Sequence, residues 1–498
     1  MTLRKLTTAA SRPSQRPGNY NNKNSAEKFR RQFPQTNFLS PYAEPQKPNG
    51  FEKMNNAINN NQNNSGLRLL LRALRNRNYR LFFTGQGLSL IGTWMQSVAM
   101  SWLVYKLTNS PLYLGIVGFS SQIPILIAAP LGGVLADKLD RKKILIVTQF
   151  LSMLQAVVVT ALAMTGVIQP WHIIILSVLL GTINGFDMPT RQAFVRELVD
   201  NPDDLPNAIA LNSFIFNGAR LIGPPIAGLL IAFAGEGICF LINAISFIPV
   251  LIAFAAMKIK PLNISRHNGT LLTGLKDGIS YAFGFVPIKV ILILLAFIGL
   301  IAMPYAVLLP VFARDILAGD SKTLGFLMAA SGVGAITGAL FLASQKTVSR
   351  LNNIIVSSMC TFAVGVIVFS MSKTLWFSMI MMTLIGFGLM VLIVSINTLL
   401  QTIVDDSKRG RIMSLYSMSF IGMAPFGSLL AGTAAHSIGA PLTVQLCGAL
   451  CLLATALFSR KLPEISKLIR PIYARKGIIP AVADAIGTVS TLSTETKD

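Results

Sequence analysis

The chain has 498 residues, of which 52% are apolar and only 13% charged. A soluble domain covers its surface with about 25% charge, so a soluble protein is excluded, and so is a chain disordered over most of its length; what remains is a polytopic membrane protein. The net charge of +23 does not point to nucleic acid, because residues 1–80 hold fifteen Lys and Arg against Glu27, Glu44 and Glu52, and much of the rest sits in short loops between apolar runs.

In chain order, residues 1–66 contain no apolar run, so no secretory signal peptide is expected, and Met54 offers an alternative start. The stretch 55–65 is Asn-rich, low in complexity and expected to be disordered. Residues 67–77 put Arg68, Arg72 and Arg75 at helical spacing, which predicts a short basic helix on the inner leaflet. Residues 1–78 are thus expected to form a basic cytoplasmic tail.

A membrane-spanning helix needs about 20 mostly apolar residues. Stretches free of Asp, Glu, Lys and Arg are 81–105, 107–136, 144–186, 205–219 with 221–235, 237–257, 290–313, 323–345, 351–372, 374–404 and 412–459. The stretch 144–186 is double length and breaks at Gly166 and Gln169-Pro170; 412–459 breaks between Ser437 and Pro441. Residues 205–235 read as one span interrupted by Arg220. The prediction is an all-α membrane protein of twelve transmembrane helices arranged as two six-helix halves. The halves are 79–257 and 287–460, with a cytoplasmic central loop 258–286 and a cytoplasmic C-terminal tail 461–498. With the N-terminus inside, 38 basic residues fall on the inner side and four, Lys106, Arg314, Lys322 and Lys373, on the outer side. That asymmetry predicts that both termini are cytoplasmic.

The halves echo each other. Leu114-Gly115 opens span two and Leu324-Gly325 opens span eight. Pro225 precedes Leu229-Leu230 in span five, and Pro425 precedes Leu429-Leu430 in span eleven. Two repeated six-helix halves suggest a transporter with a central cavity between them.

Residues 132–143, GGVLADKLDRKK, resemble the loop signature G-x-L-x-D-x-x-G-R-K of the major facilitator superfamily. Gly133, Leu135, Asp137, Arg141 and Lys142 match, and Asp140 stands where the signature has Gly. The segments 76–105, 187–198 and 217–230 are similar to the drug:proton antiporter branch that holds the enterobactin exporter and macrolide efflux proteins. The resemblance covers about residues 76–460. It implies that the loop is an inner-side gate that docks the halves when the protein faces out. Gly223, Pro224 and Gly228 resemble the span-five antiporter signature GPxxGG with the spacing shifted by one residue.

In the gate, Gly133, Asp137, Arg141 and Lys142 are the candidate residues. Asp137 is expected near the N-terminal end of span eleven, where free N–H groups favour an anion. Arg141 is expected to pair with Glu197 or Asp200. The alternative is a solvated loop that only orients the helices.

Asp187 and Arg220 are the only charges well inside the spans, and are expected to face each other across spans four and five, with Asp187 as the proton-responsive group. The alternative is a structural ion pair. Polar and aromatic residues at span depth are Gln86, Trp94, Gln96, Gln122, Asn184, Asn217, Asn243, Tyr305, Asn397 and Gln401. Some should line a substrate cavity, and each reads equally well as an interhelical hydrogen bond.

Enzyme and ATP-binding signatures are absent, including GxxxxGK[ST] and GxSxG. The GxGxxxG of residues 332–338 lies in an apolar run and reads as helix packing. His172, His267 and His436 are dispersed, and no metal site is expected. No cofactor is expected. The reading is a monomeric, proton-gradient-driven exporter of a small organic molecule in the bacterial inner membrane, its partners being the substrate and the lipid bilayer. The branch implies a siderophore, macrolide or other hydrophobic compound. A non-transporting receptor or assembly scaffold is the competing class.

Overall fold

A computed structural model describes residues 71–199, 201–259, 271–345, 351–405 and 408–476, and all regular structure among them is helical. The expectations for the Asn-rich tail, for residues 260–270 and 346–350, for Asp200 and for 477–498 fall outside the described residues. Eleven helices are long and apolar enough to cross a membrane. They are Pro111–Lys138, Arg141–Met164, Pro170–Glu197, Leu205–Ala234, Glu236–Ala256, Val286–Ile316, Ser321–Ala343, Leu351–Met371, Leu375–Ile403, Arg409–Ile438 and Ala440–Ala474. The twelfth is the first in sequence, Arg77–Thr108. Gln86, Gln96 and their polar neighbours lower its apolarity, but it packs along spans five and six within the bundle. Spans are numbered one to twelve in this chain order.

The span ends follow local chemistry. Asn109 closes span one in the left-handed region (φ 47°), and Pro111 opens span two. Asp140 caps span three, its carboxylate accepting from the backbone N–H of Lys142 (2.9 Å) and Lys143 (3.4 Å). That role accounts for an Asp where the loop signature has Gly. The two double-length stretches break where glycine supplies a positive φ, at Gly166 (74°) and Gly439 (86°).

Two boundaries differ from expectation. Among the described residues of 67–77, residues 72–75 stand apart from the helix that begins at Arg77. They make one 3₁₀ turn docked on the start of span five, where Arg72 pairs with Asp204 at 2.6 Å and the Ala73 N–H donates to Asn207 Oδ1 at 2.8 Å. The last helix does not stop at 460. It runs on to Arg475, burying Ile465, Ile469 and Tyr473, a helical-spacing stripe that a charge-based cut passes over.

Within each half, helices approach through small residues. A Cβ on Gly132 of span two would sit 2.6 Å from the Gly185 carbonyl of span four. The GxGxxxG in span eight is packing: Gly334 lies against Thr383 and Gly338 against Phe387 of span ten, and Gly332 against Leu221 of span five. Spans seven and eleven are irregular. Span seven passes through π turns at Ile298–Ala302 and Phe312–Ile316 and a 3₁₀ stretch at Met303–Leu308, while span eleven breaks at Gly422-Met423.

The two halves meet at one end of the bundle. Gly115 of span two faces Gly432 of span eleven, and Gly325 of span eight faces Pro224, Pro225 and Gly228 of span five. Phe119 and Phe426 stack edge to face at 5.9 Å. Toward the other end, which carries Lys138–Lys143 and Lys408–Arg411, the helices separate. Nothing lies within 4 Å of where a Cβ would sit on Gly133, Gly218 or Gly410. These two ends are called the far end and the basic end.

Candidate functional site

The candidate gating loop lies at the open basic end. Arg141 is its hub. Its Nη1 donates to Glu197 Oε1 at 2.6 Å, its Nε to the Ala136 carbonyl at 2.9 Å, and its Nη2 to Asp137 Oδ1 at 3.3 Å. The Arg141–Glu197 pair is well covered, at 15% and 11% exposure, and ties the start of span three to the end of span four. Lys142 reaches across to the Met257 carbonyl at the end of span six (2.8 Å). Asp137 stands apart, 73% exposed, with Arg141 as its ion-pair partner and, among the described residues, no hydrogen bond or ion pair to span eleven. In this conformation the loop is assembled within its own half and undocked from the other.

The expected Asp187–Arg220 pair does not form. Asp187 is buried, and it holds Arg191, one turn along the same helix, together with Thr148 Oγ1 (2.9 Å) and Gln149 Nε2 (2.8 Å) of span three. An i,i+4 partner meets its acid without any help from tertiary packing. The Asp-x-x-x-Arg spacing on a helix is the sequence signal for this pair. Beside this pair lies a polar cavity of about 40 Å³ lined by Gln86, Gln96, Gln149, Asn184, Arg191 and Asn243, among others. Gln86 Oε1 and Gln149 Oε1 are buried without a hydrogen-bond partner. A cavity of that volume holds a few waters at most and is too small for an organic substrate.

The cavity candidates divide. Gln96 is not on the central cavity: it is 3% exposed, donates to Gln155 (3.0 Å) and accepts from Asn243 (2.7 Å), joining spans one, three and six. Tyr305 is likewise buried, at 3%, against Phe362. Gln86 faces the small polar cavity inside the first half. Trp94, Gln122, Asn217 and Asn397 remain partly exposed at span depth. Of these, Gln122 and Asn217 bond carbonyls of their own helices, Gly118 and Ser213, and Asn397 accepts from Gln401.

Arg220 sits half-buried in the middle of span five. Its guanidinium lies 5.8 Å from the centroid of Trp94, which itself meets Phe216 edge to face at 6.0 Å. Gly223 makes this possible, since a Cβ there would lie 2.7 Å from Trp94 Cβ. Among the described residues no carboxylate bonds Arg220.

The far end is closed by polar contacts that the sequence reading missed. Tyr105 of span one donates to Asp315 of span seven, and Arg314 Nη1 donates to Asn109 Oδ1 at 2.7 Å. Ser321 Oγ donates to the Gly228 carbonyl at 2.9 Å, again across the halves. Lys106 pairs with Glu236 at 2.9 Å within the first half. Each of these residues lies at a helix end, where charge counting reads only orientation.

A family model described as transmembrane secretion effector, of the major facilitator group, matches residues 70–474. The chain is 28% identical over 388 residues to the Staphyloferrin A transporter of Staphylococcus aureus, across 76% of this chain and 95% of that protein. It is 25% identical over 357 residues to the multidrug efflux pump Tap of Mycolicibacterium fortuitum, across 70% and 87%. A bacterial homologue of the lysosomal transporter Spinster, solved in an inward-facing, unoccupied conformation, superposes with a TM-score of 0.63 at 12% identity, covering 79% of this chain and 97% of that one. With two six-helix halves that close at one end and carry the loop-signature residues at the other, the chain belongs to the transmembrane secretion effector family of major facilitator transporters.

Proposed function

We propose that this multi-pass membrane transporter is a proton-driven exporter of a small organic molecule, working by alternating access in a bacterial inner membrane with both termini cytoplasmic. The observation that carries the coupling is the buried Asp187–Arg191 pair beside a polar cavity. A proton placed on Asp187 cancels the charge that holds Arg191, and frees Arg191 to turn toward Gln86 or Asn184. An acid buried among spans is a functional group by default. Similarity to a siderophore transporter and to a multidrug pump supports a substrate among siderophores, macrolides or other hydrophobic compounds. The intact gating loop at the open end speaks against a receptor or scaffold, which needs no gate.

With both termini inside, the open basic end faces the cytoplasm, so the conformation is the one that loads an exporter. Everted vesicles test the reading. On energisation they should accumulate the anionic dye carboxyfluorescein, and a protonophore should abolish uptake. Asp187→Asn, at equal membrane abundance, should remove the pH dependence. Dye uptake that survives the protonophore would refute proton coupling.

A further inference from the structure

We infer that the central cavity selects an anionic substrate, and that Arg220 is the residue that binds its carboxylate or other acidic group. The inference rests on the transporter reading and adds the substrate's charge class to it.

Arg220 is fifteen residues from the start of span five, so it lies about 22 Å from the basic end, near mid-membrane. A guanidinium at that depth needs a partner, and intramembrane cations mark substrate pathways. The carboxylates of the neighbouring spans are committed elsewhere: Asp187 to Arg191, Glu236 to Lys106, Asp315 to Tyr105. Among the described residues, then, the countercharge is not supplied by the protein.

The surroundings are those of a binding site. The Trp94 ring centroid lies 5.8 Å from the guanidinium, and among the described residues no acceptor takes its N–H fork, which stays open to a bidentate acceptor. Leu221, the residue after Arg220, packs against Gly332 of span eight, which belongs to the other half. The site therefore stands at the seam between the halves. On its far-end side, Gly332 against Leu221 and Gly325 against Pro224 seal the seam. On its basic-end side, Gly218, two residues away, has open space around it. A molecule arriving through the open end would meet Arg220 at the point where the cavity closes, where an Arg-to-carboxylate pair is little screened by water.

The test uses the full chain in nanodiscs and two dyes with the same xanthene ring, anionic carboxyfluorescein and cationic rhodamine 6G, read by fluorescence anisotropy. Wild type should bind carboxyfluorescein. Arg220→Gln should weaken that binding at least tenfold and leave rhodamine 6G unchanged or tighter. Arg220→Lys should retain binding within threefold to fivefold of wild type, because the charge stays while the fork is lost. Arg220→Gln should also melt no lower than wild type, since it removes an unpaired buried charge; that excludes misfolding as the cause. Equal carboxyfluorescein affinity in wild type and Arg220→Gln, or no binding by wild type, overturns the proposal. Affinity should be the same in phosphatidylcholine and phosphatidylglycerol discs; loss of dye binding in phosphatidylglycerol would assign Arg220 to a lipid headgroup and overturn the substrate assignment. Binding without energised uptake in vesicles would leave the anion site standing and refute the export reading instead.

Discussion

At the residue scale, two acids with the same charge have opposite expected phenotypes because their surroundings differ. Asp187 is buried against Arg191, so Asp187→Asn strands a cation and should cost about 3–5 kcal/mol. The Asp187→Asn, Arg191→Gln double variant should recover that loss without recovering proton-coupled transport, which thermal melting and vesicle uptake would measure separately. Recovery of both would reduce the pair to scaffolding. Asp137 is exposed, and its link to Arg141 is worth under about 1 kcal/mol. Asp137→Asn should therefore leave melting unchanged yet slow transport, because the gate needs the carboxylate only when the basic end closes. Wild-type transport in that variant would dismiss the gate assignment. Glu197→Gln is the intermediate case. It weakens a covered, charge-assisted bond to Arg141 and should cost roughly 1.5–3 kcal/mol.

At the scale of elements, the repeated Leu-Gly pairs acquire a physical meaning. Gly115 and Gly325 occupy equivalent positions in the two halves, and each lets its span touch the backbone of the opposite half. At Gly115 a Cβ would fall 2.7 Å from the Ser428 carbonyl and 2.9 Å from Gly432 Cα, both backbone atoms that cannot give way. Gly115→Val should hold the far end open and so favour closure of the basic end. With the native cysteines replaced, a thiol placed at Gly218 should react readily in the parent and at least severalfold more slowly with Gly115→Val. An unchanged labelling rate would mean that spans two and eleven do not set the equilibrium. The turns that interrupt spans seven and eleven lie in facing elements, Gly299 packing on the Phe420 carbonyl. Such irregular stretches are where helices bend most easily, which places the flexible segments beside the far-end closure.

At the scale of the whole molecule, the described helices form a bundle sealed at one end and open at the basic end. The expected orientation puts the opening on the cytoplasmic side. A phosphatase reporter fused after Asp498, active only outside the cytoplasm, should be silent, and activity there would reverse the loading direction argued above. Tyr105→Phe removes a cross-half bond to Asp315 at the far end. It should shift the population toward the outward-facing state and lower the labelling of a thiol at Gly218, in the same direction as Gly115→Val but to a smaller extent, since one hydrogen bond contributes about 1 kcal/mol.

The sequence by itself determined the number and order of spans, the two halves, and Glu197 as one of two expected partners of Arg141. All of these depend on local apolarity, on charge position relative to the bilayer, or on a short motif whose spacing sets its geometry. It also exposed Asp187 and Arg220, because a charge inside an apolar run has no local explanation. Asp187 pairs with Arg191 at i,i+4 spacing that the sequence already holds, but what surrounds the other polar groups was decided only by the tertiary structure: Gln96 turned into the first half rather than the central cavity, and Arg220 was left beside Trp94 at the seam. The rotation of a helix about its axis decides which of its faces meets a neighbour. In spans apolar on nearly every side, hydropathy carries almost no record of that rotation, so it is fixed by interlocking glycines and neighbouring helices that only the folded bundle brings together.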